Sequence, residues 1–377
     1  MQPGRDDGMF VRTVNDGYVT TDGAVDALPS AQTLDDSTWG AMISAPAGLI
    51  AHDVDNDTLV LNPQTETPST LVSSVGASVA FLEHQGFVFW TDGAVLGSIT
   101  AAGAVRPCTL PASTAPTVGT TTGTMPAGDY LVGFEWVDAA GMVSACVSIS
   151  KYTLAAVGGL SLTLPTAATD ATKARVYCSK RNGSQLRLVG DFTLPATPTV
   201  TTEPTSEVAM QTLGLSPLPP GAGLTSRGGF LLSWSSDVLW HSRGDFTALC
   251  NPQIDYHQFP GTILGAVGVE EGVWVATSVG MYWLGGRDLM TATVFQAKDR
   301  RTYAKGGWLM PPQLSGVESI WPAALFISDD GLVWGSSDGR LVAPSELTQK
   351  WDVEGKTASV DIWEYDSQKL IVVGGID

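Results

Sequence analysis

The stretch DDGLVWGSSDGRLVAP, Asp329 to Pro344, reads as an apolar strand, a Ser-Asp-Gly turn and a second apolar strand. Much the same pattern recurs as GLIAHDVDNDTLVLNP from Gly48, GFVFWTDGAVLGSIT from Gly86, GGFLLSWSSDVLWHSR from Gly228 and GVWVATSVGMYWLGG from Gly272. Apolar runs bounded by Gly, Asp and Ser mark strands and tight reversals. A hairpin used this often is scaffold, and the function has to be sought in what the scaffold is built into.

Working outward, the whole chain has the same texture. With 377 residues, 44% of them hydrophobic, it can bury a large core as one big or two ordinary domains. Its 42 Gly and 22 Pro, interleaved with Val, Thr, Trp and Tyr, favour many short strands joined by turns. Helical periodicity is nearly absent, so the fold class is all-β. The opening MQPGRDDGMF carries acids where a signal peptide needs a basic start and an apolar run. No later stretch approaches the ~20 apolar residues of a membrane span. The expectation is therefore folding in a cytoplasm without stable membrane insertion. The 4 Cys include no CxxC pair, which argues against a disulfide framework or a zinc site and for buried free thiols.

Net charge is −18, from 20 basic and 38 acidic residues, and it is unevenly spread. Residues 1–113 hold 3 basic and 13 acidic residues (−10), residues 114–205 hold 6 and 6 (0), and residues 206–377 hold 11 and 19 (−8). Tight nucleic-acid binding needs Lys and Arg to displace phosphate counterions, and this balance argues against it.

The neutral middle is also distinct in composition. Thr and Pro dominate its ends, as at domain edges. Within it, DYLVGFEWVD is an alternating strand, Ala139-Ala140-Gly141 a turn and MVSACVSISKYTL a return strand. Asn182-Gly183 between two alternating runs is the strongest local hairpin signal, because both positions of such a turn take positive φ. About seven short strands in this length match a small β-sandwich. GTMPAGDYLVGFEWVDAAGMVSA followed by ATKARVYCSKRNGSQLRLVGDF resembles the fibronectin type III-like modules of bacteriophage structural proteins. The resemblance implies an adhesive or spacer unit with no chemistry of its own.

Both flanks carry the same hairpins, so residues 1–113 and 206–377 are expected to form one β-propeller, with the sandwich of residues 114–205 inserted between blades. An insertion is tolerated where its two ends lie together. At ~40 to 45 residues per blade, the flanks suggest about six or seven blades. A discontinuous sandwich and an open solenoid are also compatible. LPPGAGLTSRGGFLLSWSSDVLWHSRGDF (Leu218 to Phe246), DYHQFPGTILGAVGVEEGVWVATSVGMYWLGG (Asp255 to Gly286) and GLVWGSSDGRLVAPSELT (Gly331 to Thr348) are similar to a phage propeller pattern. With the inserted sandwich, the chain resembles tail nozzle or tail-stabilisation proteins of short-tailed phages. The resemblance implies a homo-oligomeric ring below portal and adaptor proteins, a platform for tail fibres or spikes, and a place in the virion.

Four sets of residues invite chemistry. Gly335-Ser336-Ser337-Asp338-Gly339 matches the G-x-S-x-G string of a serine hydrolase, which needs a strand, a turn and a helix, with a histidine downstream. Arg-Leu-Val-Ala-Pro follows instead, and no histidine lies beyond His257, so a hairpin turn is expected. Asp53, Asp55 and Asp57 begin like a calcium loop, but Thr58 stands where the turn needs Gly and Gln64 where the bidentate Glu belongs. They remain a weak metal candidate beside the reading as an Asx turn. His52, His84, His241 and His257 lie on different strands and would matter only if they converged. Trp90, Trp240, Trp274, Trp283 and Trp334 sit at strand positions where packing between blades competes with sugar stacking. Asn56-Asp57-Thr58 and Asn182-Gly183-Ser184 are glycosylation strings, read as turns in the absence of a secretion signal.

The expectation is a non-enzymatic tail component without cofactors. Its acidic flanks would suit a conduit, since like charge keeps a passing DNA duplex from sticking. A receptor- or glycan-binding tail module, and a propeller hydrolase or lyase, are the alternatives.

Overall fold

The computed structural model describes residues 17–19, 25–27, 39–62, 69–286, 288–297, 299–312, 320–343, 351–365 and 368–374. These hold strands and turns and no α-helix. The MQPGRDDGMF stretch and the SELT that closes the third propeller-like motif fall outside them. The chain divides into two compact units, Met1–Thr38 and Trp39–Asp377. In the first, β1 (Gly17–Val19) pairs antiparallel with β2 (Val25–Ala27).

The second unit is a β-propeller of four-stranded antiparallel sheets. Blade one contains β3 (Trp39–Ala45), β4 (Gly48–Asp53), β5 (Thr58–Asn62) and β6 (Ser69–Ser73), and blade two β7 (Ala80–His84), β8 (Phe87–Thr91), β9 (Leu96–Ile99) and β10 (Val105–Pro107). The chain then leaves to form β11 (Thr117–Met125), β12 (Gly128–Asp138), β13 (Ser150–Leu154), β14 (Gly158–Thr163), β15 (Ala171–Ser179), β16 (Leu186–Thr193) and β17 (Thr199–Val200). It returns through β18 (Ser216–Pro217) to blade three, β19 (Gly223–Arg227), β20 (Phe230–Ser235), β21 (Val238–His241) and β23 (Tyr256–Gln258). The short β22 (Leu249–Cys250) pairs with β18. Blade four is β24 (Ile263–Val269), β25 (Gly272–Thr277), β26 (Gly280–Gly285) and β27 (Thr293–Gln296). Blade five is β28 (Trp308–Met310), β29 (Ala323–Ser328), β30 (Gly331–Gly335) and β31 (Leu341–Val342), and a hairpin of β32 (Ser359–Tyr365) and β33 (Gln368–Gly374) follows. Against an expectation of six or seven blades, the described residues hold five complete ones and this last hairpin.

The radial order follows from which strands touch. β3 packs on β7, β7 on β19, β19 on β24, and β24 on β28 and β29, so the first strands surround the axis. Apolar clusters fill the gaps between successive blades. Ile50 and Leu59 meet Val88, Trp90 and Ile99 between blades one and two. Phe89 and Leu96 meet Leu224 and Leu231 between two and three. Leu232, Trp234 and Leu239 meet Ile263, Val273 and Leu284 between three and four. Trp274 and Met281 meet Phe326 and Val333 between four and five. These strands are apolar on both faces, unlike a half-solvated sheet, because each blade is covered by its neighbours.

The repeated hairpin supplies the second and third strands of blades one to four, but the third and fourth of blade five. β28 therefore lies one strand further in, on the axial side of β29. The segment leading to it is held there by Gly306 N–H donating to Leu264 O (3.0 Å), Lys305 N–H to Lys356 O (2.8 Å) and Ala358 N–H to Lys305 O (3.2 Å). Gly265 is required at this crossing, since a Cβ there would lie 2.2 Å from Gly306 O.

Between blades two and three, β11-β14-β17 and β13-β12-β15-β16 are two antiparallel sheets. They close over Tyr130, Val132, Phe134, Trp136, Leu160, Leu162, Val176 and Cys178, all buried. Two local expectations change. The return strand read from Met142 begins only at Ser150, because before it Val143 makes a single bridge to Val137 of β12 and Cys146 bridges Ser113 and Leu213 instead. The Asn182-Gly183 loop is longer than a two-residue turn. Asn182 is left-handed (φ 55°) and Gly183 is not among the positive-φ glycines; Gly183 N–H donates to Lys180 O at 2.9 Å, and Asn182 is tied at both N–H and Oδ1 to Asp129.

Candidate functional site

The Gly335–Gly339 string is the β30–β31 turn, with no helix after Ser337. Ser336 Oγ accepts the Arg340 N–H (3.0 Å) and donates to Asp338 Oδ1. The two glycines explain the string physically. A Cβ on Gly335 would fall 2.2 Å from Cε2 and Nε1 of Trp274, and one on Gly339 (φ 86°) 2.8 Å from Trp283 Nε1. The Trp274 Nε1–H donates to Ser336 O at 2.9 Å. The turn is thus a cradle for two tryptophans of blade four.

At the β4–β5 turn, Asp53 Oδ1 accepts the N–H of Asp55 (3.1 Å) and of Asn56 (3.2 Å), and Oδ2 accepts Asn56 Nδ2 (2.8 Å). Asp57 takes φ 51°. This is an Asx turn, in which both carboxylate oxygens of Asp53 already serve the chain. Among the described residues no group of three or more His, Cys, Asp or Glu is placed to hold a metal ion.

Two of the four histidines meet. His241 and His257 stack with centroids 5.6 Å apart. His241 Nδ1 lies 3.0 Å from Ser242 O and His257 Nε2 2.8 Å from Leu289 O, so each ring uses one N–H on a carbonyl. Burial holds both below the ordinary imidazole range, as it does His84. His52 is buried on blade one, opposite Leu59. Of the five tryptophans, Trp90 and Trp274 are buried and Trp240, Trp283 and Trp334 half-buried, each packed in an apolar cluster.

The residues that sequence reasoning missed attach the sandwich. Ser113 on the way in and Thr212 to Gly214 on the way out flank one segment, Ala145 to Val147. Ser113 N–H donates to Ala145 O (2.8 Å), Val147 N–H to Ser113 O (3.1 Å), Cys146 N–H to Thr212 O (3.1 Å) and Gly214 N–H to Cys146 O (3.0 Å). Val137, Val143 and Ala145 pack at this base on Leu215, Leu249 and Phe246. Arg106 of blade two donates to Asp138 (2.9 Å), whose side chain is 2% exposed, and to Asp170 (3.2 Å). Beyond Thr205 the chain first pairs with β16 (Leu188 N–H to Val208 O, 2.8 Å; Met210 N–H to Leu186 O, 3.0 Å) and then crosses to β12. There Thr212 Oγ1 donates to the buried Glu135 (2.6 Å), as do the Tyr177 hydroxyl (3.0 Å) and Arg175 (3.4 Å). Burial pushes the Glu135 carboxyl up, outweighing these donors. Two chain crossings, an apolar base and an ion pair to the buried Asp138 tie the sandwich to blades two and three.

No protein-family model matches the chain, and neither does any curated protein. Among solved structures it is similar to BBS1N in complex with ARL6DN (11% identity, 89% of each chain covered, TM-score 0.35). It is similar to Kluyveromyces lactis Hsv2 (9%, 93% of this chain and 88% of that one, TM-score 0.29). It is also similar to the gluconolactonase XC5397 of Xanthomonas campestris (10%, 79% and 85%, TM-score 0.23). At such scores the propeller rests on the chain's own four-stranded sheets and their radial order.

Proposed function

We propose that this protein is a non-enzymatic structural component of a bacteriophage tail, a nozzle or hub, whose propeller carries a fibronectin type III-like sandwich as a stiff arm. The observation that carries the reading is the joint itself. A module free to swing needs one or two flexible linkers, whereas here both crossings pair with Ala145 to Val147 and Arg106 clamps Asp138. Such an attachment fixes the direction in which the module points, as assembly into a particle demands. The G-x-S-x-G string, the Asp53 turn, and His241 and His257 are engaged in holding turns and blades, which favours a scaffold over a hydrolase or lyase. In this role copies form a ring that meets portal or adaptor proteins and offers faces to fibres or spikes. The net charge of −18 keeps DNA from adhering.

The test is removal of the gene from its parent phage. Heads filled with DNA but lacking a complete tail, restored to infectivity by purified protein, are the expected result. Infectious particles of normal composition without this chain would overturn it.

A further inference from the structure

We propose that the far end of the inserted sandwich is a docking surface for the acidic propeller of a second copy of this chain. The inference rests on the assembly reading above and names the surface that makes it. β12 runs from Gly128 to the base at Asp138, and 11 residues at ~3.3 Å each put its start about 35 Å from the joint. Pairing of Gly128 with Leu154, of Met125 with Gly158 and of Asn182 N–H with Asp129 O gathers three loops at that end.

Their surface is apolar with an excess of one positive charge among the groups named below. Ala155, Ala156 and Val157 are exposed together, Val157 at 70%. Beside them Lys180 and Arg181 are exposed and form no ion pair among the described residues, while Lys151 pairs with Asp129 (2.8 Å). The neighbouring carboxylate of Glu203 accepts the Arg181 backbone N–H (2.7 Å) and lies 3.4 Å from the Tyr130 hydroxyl. Unpaired cations around an exposed aliphatic tip are a binding surface for an acidic protein face. The chain supplies acidic surface itself, since the propeller residues 39–113 and 206–377 carry −13 of the −18 (−5 and −8), residues 1–38 the other −5, and residues 114–205 none. Whole-molecule repulsion is screened within ~8 to 10 Å at physiological ionic strength, which leaves local complementarity to decide the contact. Tip on propeller is a head-to-tail contact, and repeated around an axis it closes a ring.

The experiment is sedimentation velocity on the full chain over a concentration series in 0.15 M salt. It compares wild type, Val157→Asp and the double variant Lys180→Glu, Arg181→Glu, with melting curves confirming that the exposed substitutions leave the fold intact. The wild type is expected to assemble and both variants to need at least tenfold higher concentration. Carbodiimide cross-linking of mixed 15N-labelled and unlabelled chains is expected to join Lys180 of one copy to a propeller carboxylate of another. Wild type assembling with both variants unchanged would overturn the tip and leave the ring standing. Wild type monomeric at every concentration would overturn the ring and the tip together.

Discussion

Replacing Gly335 by alanine tests the central packing argument. A Cβ there would lie 2.2 Å from two indole atoms of Trp274, whereas carbon atoms rest at ~3.5 to 4.0 Å, so the ring must retreat by about 1.3 Å or more. Overpacking a filled core costs ~1 to 3 kcal/mol. The retreat also breaks the bond from Trp274 Nε1–H to Ser336 O (2.9 Å), and a buried donor left unpaired costs another ~1 to 3 kcal/mol. Together these give about 2 to 6 kcal/mol. Trp274 is 1% exposed and packs on Trp283 with centroids 5.0 Å apart, so it has little room to escape. The assay is urea unfolding followed by tryptophan fluorescence, reading the midpoint at constant slope, within a double-mutant cycle with Trp274→Leu. In the Trp274→Leu background, Gly335→Ala should cost less than ~1 kcal/mol, because the clashing ring is gone. A cost under ~0.5 kcal/mol in the wild type, or the same cost in both backgrounds, would refute the cradle.

Other outcomes follow from the same geometry. Arg106→Ala leaves the buried Asp138 carboxylate without its cation and should destabilise by about 3 kcal/mol, seen as a lower unfolding midpoint and faster proteolysis at the base of the sandwich. Burial raises the proton affinity of Glu135 in the folded state above its ordinary value of 4.5, so the folded chain binds this proton more tightly than the unfolded one. Its contribution to stability therefore grows as pH falls through the folded value towards 4.5, and Glu135→Gln should flatten that part of the stability profile. All four cysteines are buried and free, with burial pushing Cys108 to about 11 and Cys178 and Cys250 to about 12. A thiol reagent at pH 8 should label none of them in minutes in the native protein, and all four once denatured. Calcium titrated to millimolar levels should give no binding heat, and Asp53→Ala should lower stability by ~1 kcal/mol through loss of the turn bonds.

What could be read in the sequence was whatever depends on near neighbours. Asp329 to Val342 was legible as a hairpin because strand period and turn residues are local, and the same holds for the hairpins from Gly48, Gly86, Gly228 and Gly272. Why Gly335 and Gly339 must be glycine was not legible, because the tryptophans they accommodate lie some 50 to 60 residues earlier in the chain, in another blade. DYLVGFEWVD reads as an alternating strand, which would leave Glu135 facing water; instead the returning chain brings Thr212 to it, and the Thr212 hydroxyl donates to the carboxylate. The Asn182-Gly183 signal located a reversal but not its form, since the loop is shaped by Asp129 on another strand. The stacking of His241 on His257 likewise depends on β21 lying beside β23, around the intervening β22 excursion.

The placement of β28 bears on what a tail role would require of this fold. Blade five carries an extra strand on its axial side, tied to blade four through Gly306 N–H and Leu264 O and to the segment before β32 through Lys305. Blades three and four are as close, since a Cβ on Gly268 would fall 2.0 Å from Ser226 O. Inner strands that meet backbone to backbone fix the spacing of these neighbouring blades around the axis. In the tail role proposed above, each propeller would act as one rigid unit of a ring of copies. A ring of that kind would need contacts that set the angle between neighbours, and a sandwich held at its base by Arg106 and by paired chain crossings is a part of fixed direction able to set it.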